Sequence, residues 1–279
     1  MPEPKILHIS SPGYRSAGKL AFDIHKEFMD QGYESFIVSK DDNLSFANSD
    51  SYYGSSYFKL EKTYNKLKNK IKNIFRIKEK QDIKYGYHLI DHNNFQLPYR
   101  NILNKAPFKP DIIIIYAVHE FINAKTIRRI KEKSGAELFW IFYDMAPMTG
   151  GCHYSWNCEA FSDRCGKCPW LFSDKNNDIS RKNLDMKNNY LGSTDINILI
   201  CSKWLMEKAK KSSFLKNKPL YKWMMPIDLA VFKKRERSEV KKELGLNSTK
   251  KYVFFGSVNL KNPRKGTEYL IKATEMLYS

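Results

Sequence analysis

Six apolar runs rich in Ile, Val and aromatic residues constrain the fold of this chain more than any other feature. They are "KILHIS" (5–10), "ESFIVS" (34–39), "DIIIIYAV" (111–118), "ELFWIFY" (137–143), "INILICS" (196–202) and "YVFFGS" (252–257). They read as continuous rather than alternating, the pattern of strands in a parallel sheet covered on both faces. Between them lie "SAGKLAFDIHKEFMDQGY" (16–33), "NAKTIRRIKEKSG" (123–135) and "SKWLMEKAKKS" (202–212), each with helical spacing. Gly32 and Gly135 stand where helices exit, and Ser202 where a helix is capped. The expectation is a Rossmann-like α/β sheet.

At 279 residues the chain can bury a sizeable core as one large domain or two smaller ones. No signal peptide precedes the first apolar run, and the longest, "IIIIYAV" (112–118), is too short to cross a bilayer. A cytoplasmic protein is therefore expected. The formal net charge of +18 invites a nucleic-acid reading. However, 38 Lys stand against 10 Arg, and Arg is the better residue for bidentate phosphate and base contacts. That bias argues against nucleic acid as a partner.

Sheets of this kind bind ligands outside the carboxyl ends of their strands. Three segments should emerge there: "SSPGYRSAG" (10–18), "YDMAPMTGGC" (143–152) and "SVNLKNPRKG" (257–266). The first enters a helix through glycine but is not G-x-G-x-x-G, and a plain tight turn explains it equally well. The stretch 59–80 is different, with nine Lys or Arg against two Glu and Leu60, Tyr64, Leu67, Ile71 and Ile74 at helical spacing. It reads either as a basic amphipathic helix for an anionic membrane surface or as a solvated insertion.

Four of the five cysteines, Cys152, Cys158, Cys165 and Cys168, form a C-x5-C-x6-C-x2-C array. In a reducing compartment such clustering favours metal ligation over disulfides. Only one C-x2-C knuckle is present, unlike a zinc ribbon, yet four thiolates can close a tetrahedral shell around Zn²⁺, with His153 able to replace one. Reduced or disulfide-linked cysteines remain the alternative, and nothing marks any of them as a nucleophile. Cys201 reads as a small packed hydrophobe.

"YDMAPMTGGCHY" with its three following cysteines and "CP", then "CSKWL", "MPIDLAVF" and "FFGSVNLKNPRKGTEYLIKA", resembles bacterial retaining glycosyltransferases of family 4. The resemblance spans nearly the whole chain outside the lysine-rich insertion. It implies the two-domain GT-B fold and an enzyme of the hexosyltransferase type that builds capsular, colanic-type or O-antigen polysaccharide. The implied donor is a UDP- or GDP-sugar, and the acceptor a sugar or lipid-linked oligosaccharide. The place of work would be the cytoplasm or the inner face of the plasma membrane, with no catalytic metal.

By the same resemblance, residues 1–225 form the acceptor-side domain, with the basic insertion 59–80 and a cysteine-rich loop 149–170. Residues 226–279 form a linker and the first strand and helix of the donor domain. Gly13, Gly150 and Gly151 belong to acceptor-side loops. Asp144 lies in the catalytic region, where it orients or deprotonates an acceptor hydroxyl or else caps the glycine turn. Gly256, Arg264 and Lys265 face the donor diphosphate.

Two residues depart from the family pattern. Tyr143 stands where many relatives have His, and Ser257 where others have Arg. The family's E-x7-E carboxylates are also missing, so the chain alone is expected to be inactive. The alternative is a non-catalytic zinc-bearing module for an anionic polymer. His8, His25 and His88 have no evident partner in the sequence, and Trp204 is expected to pack beneath its helix.

Overall fold

The computed structural model describes residues 2–11, 17–40, 47–51, 59–60, 62–64, 66–67, 97–119, 121–257 and 259–278. The chain divides into two compact units, Met1–Met224 and Met225–Ser279.

The first unit is a Rossmann-like α/β layer built on a seven-stranded, all-parallel sheet. Its elements are β1 (Ile6–Ser10), α1 (Ala17–Asp30), β2 (Ser35–Ser39), β3 (Ser49–Ser51), α2 (Arg100–Leu103), β4 (Ile112–Ile115), α3 (Ala124–Ser134), β5 (Glu137–Phe142), α4 (Ile179–Leu191), β6 (Asn197–Ile200), α5 (Lys203–Lys211) and β7 (Leu220–Lys222). The strand order is β3-β2-β1-β4-β5-β6-β7. β1 pairs with β2 from Ile6 opposite Ser35 and with β4 from Ile6 opposite Ile112. The chain thus winds from β1 to one edge and from β4 to the other, making the β1/β4 junction the topological switch point.

Alternate side chains of each strand serve the two faces. On one face Leu7, Ile9, Ile113, Ile115, Leu138, Trp140, Phe142, Ile198 and Ile200 join Ile127 and Ile130 of α3, Leu184 and Leu191 of α4, and Leu205 of α5 in the main core. On the other face Ile37, Ile141 and Tyr116 pack with Ala21 and Phe22 of α1. Burial is deeper on the first face: in β4 and β6 every second residue is only half-buried. The helix ends follow their local chemistry. Asn123, Asp178 and Ser202 cap α3, α4 and α5 by accepting backbone N–H bonds, and Gly135 ends α3 in the left-handed region at φ 72°.

His8 and His25 are not isolated. His8 Nδ1 lies 2.8 Å from the Tyr116 hydroxyl and its Nε2 3.0 Å from Ser35 Oγ. His25 Nδ1 lies 2.7 Å from the same Ser35 Oγ, and its Nε2 3.3 Å from the Ala47 carbonyl. That carbonyl can only accept, so His25 carries its proton on Nε2 and Nδ1 accepts from Ser35. Ser35 in turn accepts from His8 Nε2–H, leaving His8 Nδ1 to accept from Tyr116. One directional chain satisfies all four ring nitrogens and the Ser35 hydroxyl with both rings neutral.

The second unit holds α6 (Arg237–Glu243), a 3₁₀ turn at Pro263–Lys265 and α7 (Thr267–Tyr278). The run 252–257, expected as a strand, has no regular secondary structure and joins no sheet, and Val253 and Phe254 are 84% and 96% exposed. A strand exists only by pairing, and the described part of this unit offers no partner edge. Trp204 corrects a second expectation: it is 51% exposed rather than packed under α5, where Leu205 and Ala209 take the buried positions. Residues 59–60, 62–64 and 66–67 are helical, and Leu60, Tyr64 and Leu67 are exposed. Ile71, Ile74, His88 and Gly13 lie outside the described residues.

Candidate functional site

The carboxyl end of β5 runs directly into Tyr143 and Asp144. Asp144 Oδ1 accepts a 2.8 Å bond from the N–H of Ala146, the first residue of a 3₁₀ turn at Ala146–Met148. Its Oδ2 accepts from Nδ1 of His153. The two meet because the loop returns on itself: the Met145 N–H donates to the His153 carbonyl at 3.0 Å. The reversal is made at Thr149–Cys152. There the Thr149 hydroxyl donates to the Cys152 carbonyl at 2.8 Å, and Gly151 adopts φ 135°. Gly150 is required for space: a Cβ there would lie 2.3 Å from the Ser180 carbonyl oxygen of α4.

Lys187 of α4 holds the loop from below. Its ammonium is buried at 1% exposure and donates to the carbonyls of Ala146 and Thr149, each at 2.7 Å. Asn183 adds a 2.9 Å bond from Nδ2 to the Gly150 carbonyl.

Across the switch point, the Ser11 hydroxyl donates to the His119 carbonyl at 2.6 Å, tying the end of β1 to the segment after β4. The His119 ring stands edge-on to His153, with centroids 6.3 Å apart. A carboxylate and two imidazoles therefore gather over the carboxyl ends of β4 and β5, while the Tyr143 ring packs against the cluster of Ala21, Phe22, Ile37, Tyr116 and Ile141. The Tyr143 hydroxyl is buried without a hydrogen-bond partner, and burial pushes its pKa well above the ordinary phenol value, with Cys201 adding to the effect. The Cys201 thiol is itself raised by burial and then by Asp144. Such a constellation can orient a hydroxyl and accept its hydrogen bond.

Of the residues singled out in the sequence, Asp144, Gly150 and Gly151 share this loop, and Cys152, Cys158, Cys165 and Cys168 line one adjacent cavity with Trp170. Burial is the main force on the thiols, raising Cys152 to about 11, Cys165 to about 12 and Cys168 less far. Burial thus disfavours the thiolate form of Cys152, Cys165 and Cys168, and with it a nucleophilic role. All five cysteines are free. As they stand, no three His, Cys, Asp or Glu side chains among the described residues are grouped to hold a metal ion.

Arg264 and Lys265 lie in the exposed 3₁₀ turn of the second unit, ahead of Gly266 at φ 74°, and Gly256 lies exposed in the run 252–257. His153 and Lys187 escaped sequence reasoning as members of this site. The signal for Lys187 was a lysine on the same helical stripe as Leu184 and Leu191. For His153 it was the glycine turn that brings residue 153 back to residue 144.

No known protein family and no curated protein matches this chain.

Proposed function

We propose that the chain is a retaining glycosyltransferase of the GT-B type, with Met1–Met224 as the acceptor-side unit and Met225–Ser279 contributing to the donor side. The observation that carries the reading is the Asp144–His153 pair over the carboxyl end of β5, beside His119, where sheets of this topology bind their ligands. Supporting it is the resemblance of "YDMAPMTGGCHY" and "NPRKG" to family 4 enzymes.

In this reading the acceptor hydroxyl is oriented by His153. It attacks the anomeric carbon of a UDP- or GDP-sugar, the bond to the diphosphate oxygen breaks, and the hydroxyl proton passes to the departing phosphate. Asp144 holds His153 in position. Arg264 and Lys265 offset the negative charge that grows on the diphosphate, an effect larger in the transition state than in the ground state. A lipid-linked acceptor fits a protein that touches the membrane surface. Leu60, Tyr64 and Leu67, exposed at helical spacing among lysines, support peripheral contact with anionic lipid.

The test is a transfer assay over a panel of UDP- and GDP-sugars with lipid-linked acceptors, using the longest polypeptide that the reading frame encodes. Transfer with retained anomeric configuration, reduced roughly a hundredfold by Asp144→Asn, is expected. Hydrolysis or transfer indifferent to Asp144 contradicts the assignment, as does the absence of activity with every donor.

A further inference from the structure

The segment between Thr149 and Asp178 contains no strand and no α-helix, only 3₁₀ turns at Ala160–Ser162 and Pro169–Leu171. Loops of this length are held in one conformation by something other than their backbone. Phe161 is buried in the main core and Cys165 packs against it, but Cys152, Cys168 and Trp170 form a separate cluster of three. That cluster is too small to order the segment by burial alone.

The backbone between Cys165 and Cys168 is instead clamped from α4. The Cys165 carbonyl accepts from Arg181 Nη1 at 3.0 Å, and the Cys168 N–H donates to Asp178 Oδ2 at 2.8 Å, so the first turn of α4 fixes both ends of the knuckle. Between them Gly166 sits at φ 133° and Lys167 at φ 44°, conformations that L residues resist. A Cβ on Gly166 would lie 2.3 Å from the Asn176 carbonyl oxygen. Strain of this kind persists where surrounding structure enforces it, and it concentrates at ligand sites.

The Leu171 N–H donates to the Cys168 carbonyl at 3.1 Å and the Lys167 N–H to the Lys175 carbonyl at 2.9 Å, which adds to the clamp. Lys187 donates to the carbonyls of Ala146 and Thr149 in the same loop.

We propose that Cys152, Cys158, Cys165 and Cys168 form a tetrahedral structural zinc site that ties the loop to α4. The four thiols border one cavity but are not yet grouped as ligands. Binding therefore draws them inward, to Zn–S distances of about 2.3 Å. Zn²⁺ displaces the four thiol protons to solvent, with no change of oxidation state. The site fixes Gly150–Cys152 and, through the same loop, His153, but the inference stands whether or not the protein transfers sugar.

The experiment is elemental analysis and thiol titration of the whole chain purified under reducing conditions without chelator. About one zinc ion per chain is expected, with four thiols that become reactive only as the metal is released. Cobalt substitution should give the tetrahedral bands and thiolate charge-transfer absorption of an all-sulphur site. Cys165→Ser should lose the metal, and Cys201→Ser should keep it. If Cys165→Ser fails to fold, the wild-type stoichiometry and cobalt spectrum decide alone. Metal-free protein with four reactive thiols, two disulfides in freshly reduced protein, or zinc retained by Cys165→Ser overturns the site.

Discussion

Asp144 and His153 are joined side chain to side chain across nine residues of sequence, and the same Asp144 accepts the Ala146 N–H at the start of the turn between them. One carboxylate thus shapes the loop with Oδ1 and orients an imidazole with Oδ2. The two roles separate by substitution. In Asp144→Asn the amide oxygen still accepts from Ala146, but the amide nitrogen cannot accept from His153 Nδ1–H. A stability loss of about 1 kcal/mol is expected by urea denaturation, alongside the far larger loss of transfer. Equal small losses in both would reduce Asp144 to a support of the turn.

Lys187→Met tests the support beneath the loop. The methionine keeps an unbranched stem but removes both bonds to Ala146 and Thr149, whose residues are buried. Leaving two buried carbonyls unsatisfied costs about 3 kcal/mol, read as a lowered urea midpoint at unchanged slope. A neutral substitution would show that the loop relaxes to find water.

Gly150→Ala places a methyl 2.3 Å from the Ser180 carbonyl oxygen, a backbone atom that cannot swing aside. The loop must move away from α4, at about 1–3 kcal/mol. Thermal unfolding checks this, and an unchanged midpoint would contradict the close approach.

The His8–Ser35–His25 chain predicts acid sensitivity. Burial holds the His8 pKa well below the ordinary histidine value, with His25 beside it adding to the effect. His25 is lowered by burial, offset in part by the Ala47 carbonyl. Both rings are neutral in the fold and gain protons on unfolding once pH drops below about 6.5. Their contribution is complete above that value and is lost as pH falls through it toward the folded pKa. Urea midpoints should fall between about pH 7.5 and about pH 5, and fall less in His8→Gln. An equal decline in both proteins would remove His8 from the explanation.

The sheet was readable because its runs combine apolar composition with helices whose capping residues stand in place. What escaped has physical causes. β3 (Ser49–Ser51) and β7 (Leu220–Lys222) are edge strands of three residues with polar or charged members, too short for periodicity to register. Residues 252–257 carry strand composition, yet a strand needs a neighbour. His8 meets Tyr116 across 108 residues of sequence, a contact that no local pattern encodes. At the site, Asp144 was visible from its place after a strand, whereas His153 needed the glycine reversal to be seen in space. Arg264 and Lys265 were legible as cations before a helix, and their 3₁₀ turn adds local shape to that reading.

The most direct measurement is photocrosslinking of the chain with a lipid-linked sugar acceptor carrying a photoreactive group near its free hydroxyl. Labelling is expected on the peptide spanning Tyr143–Tyr154, to be displaced by unlabelled acceptor, and to fall at least tenfold in His153→Ala, a loss of about 1.4 kcal/mol in binding. Saturable labelling confined to another part of the chain, or labelling indifferent to His153→Ala, would contradict an acceptor site at the end of β5.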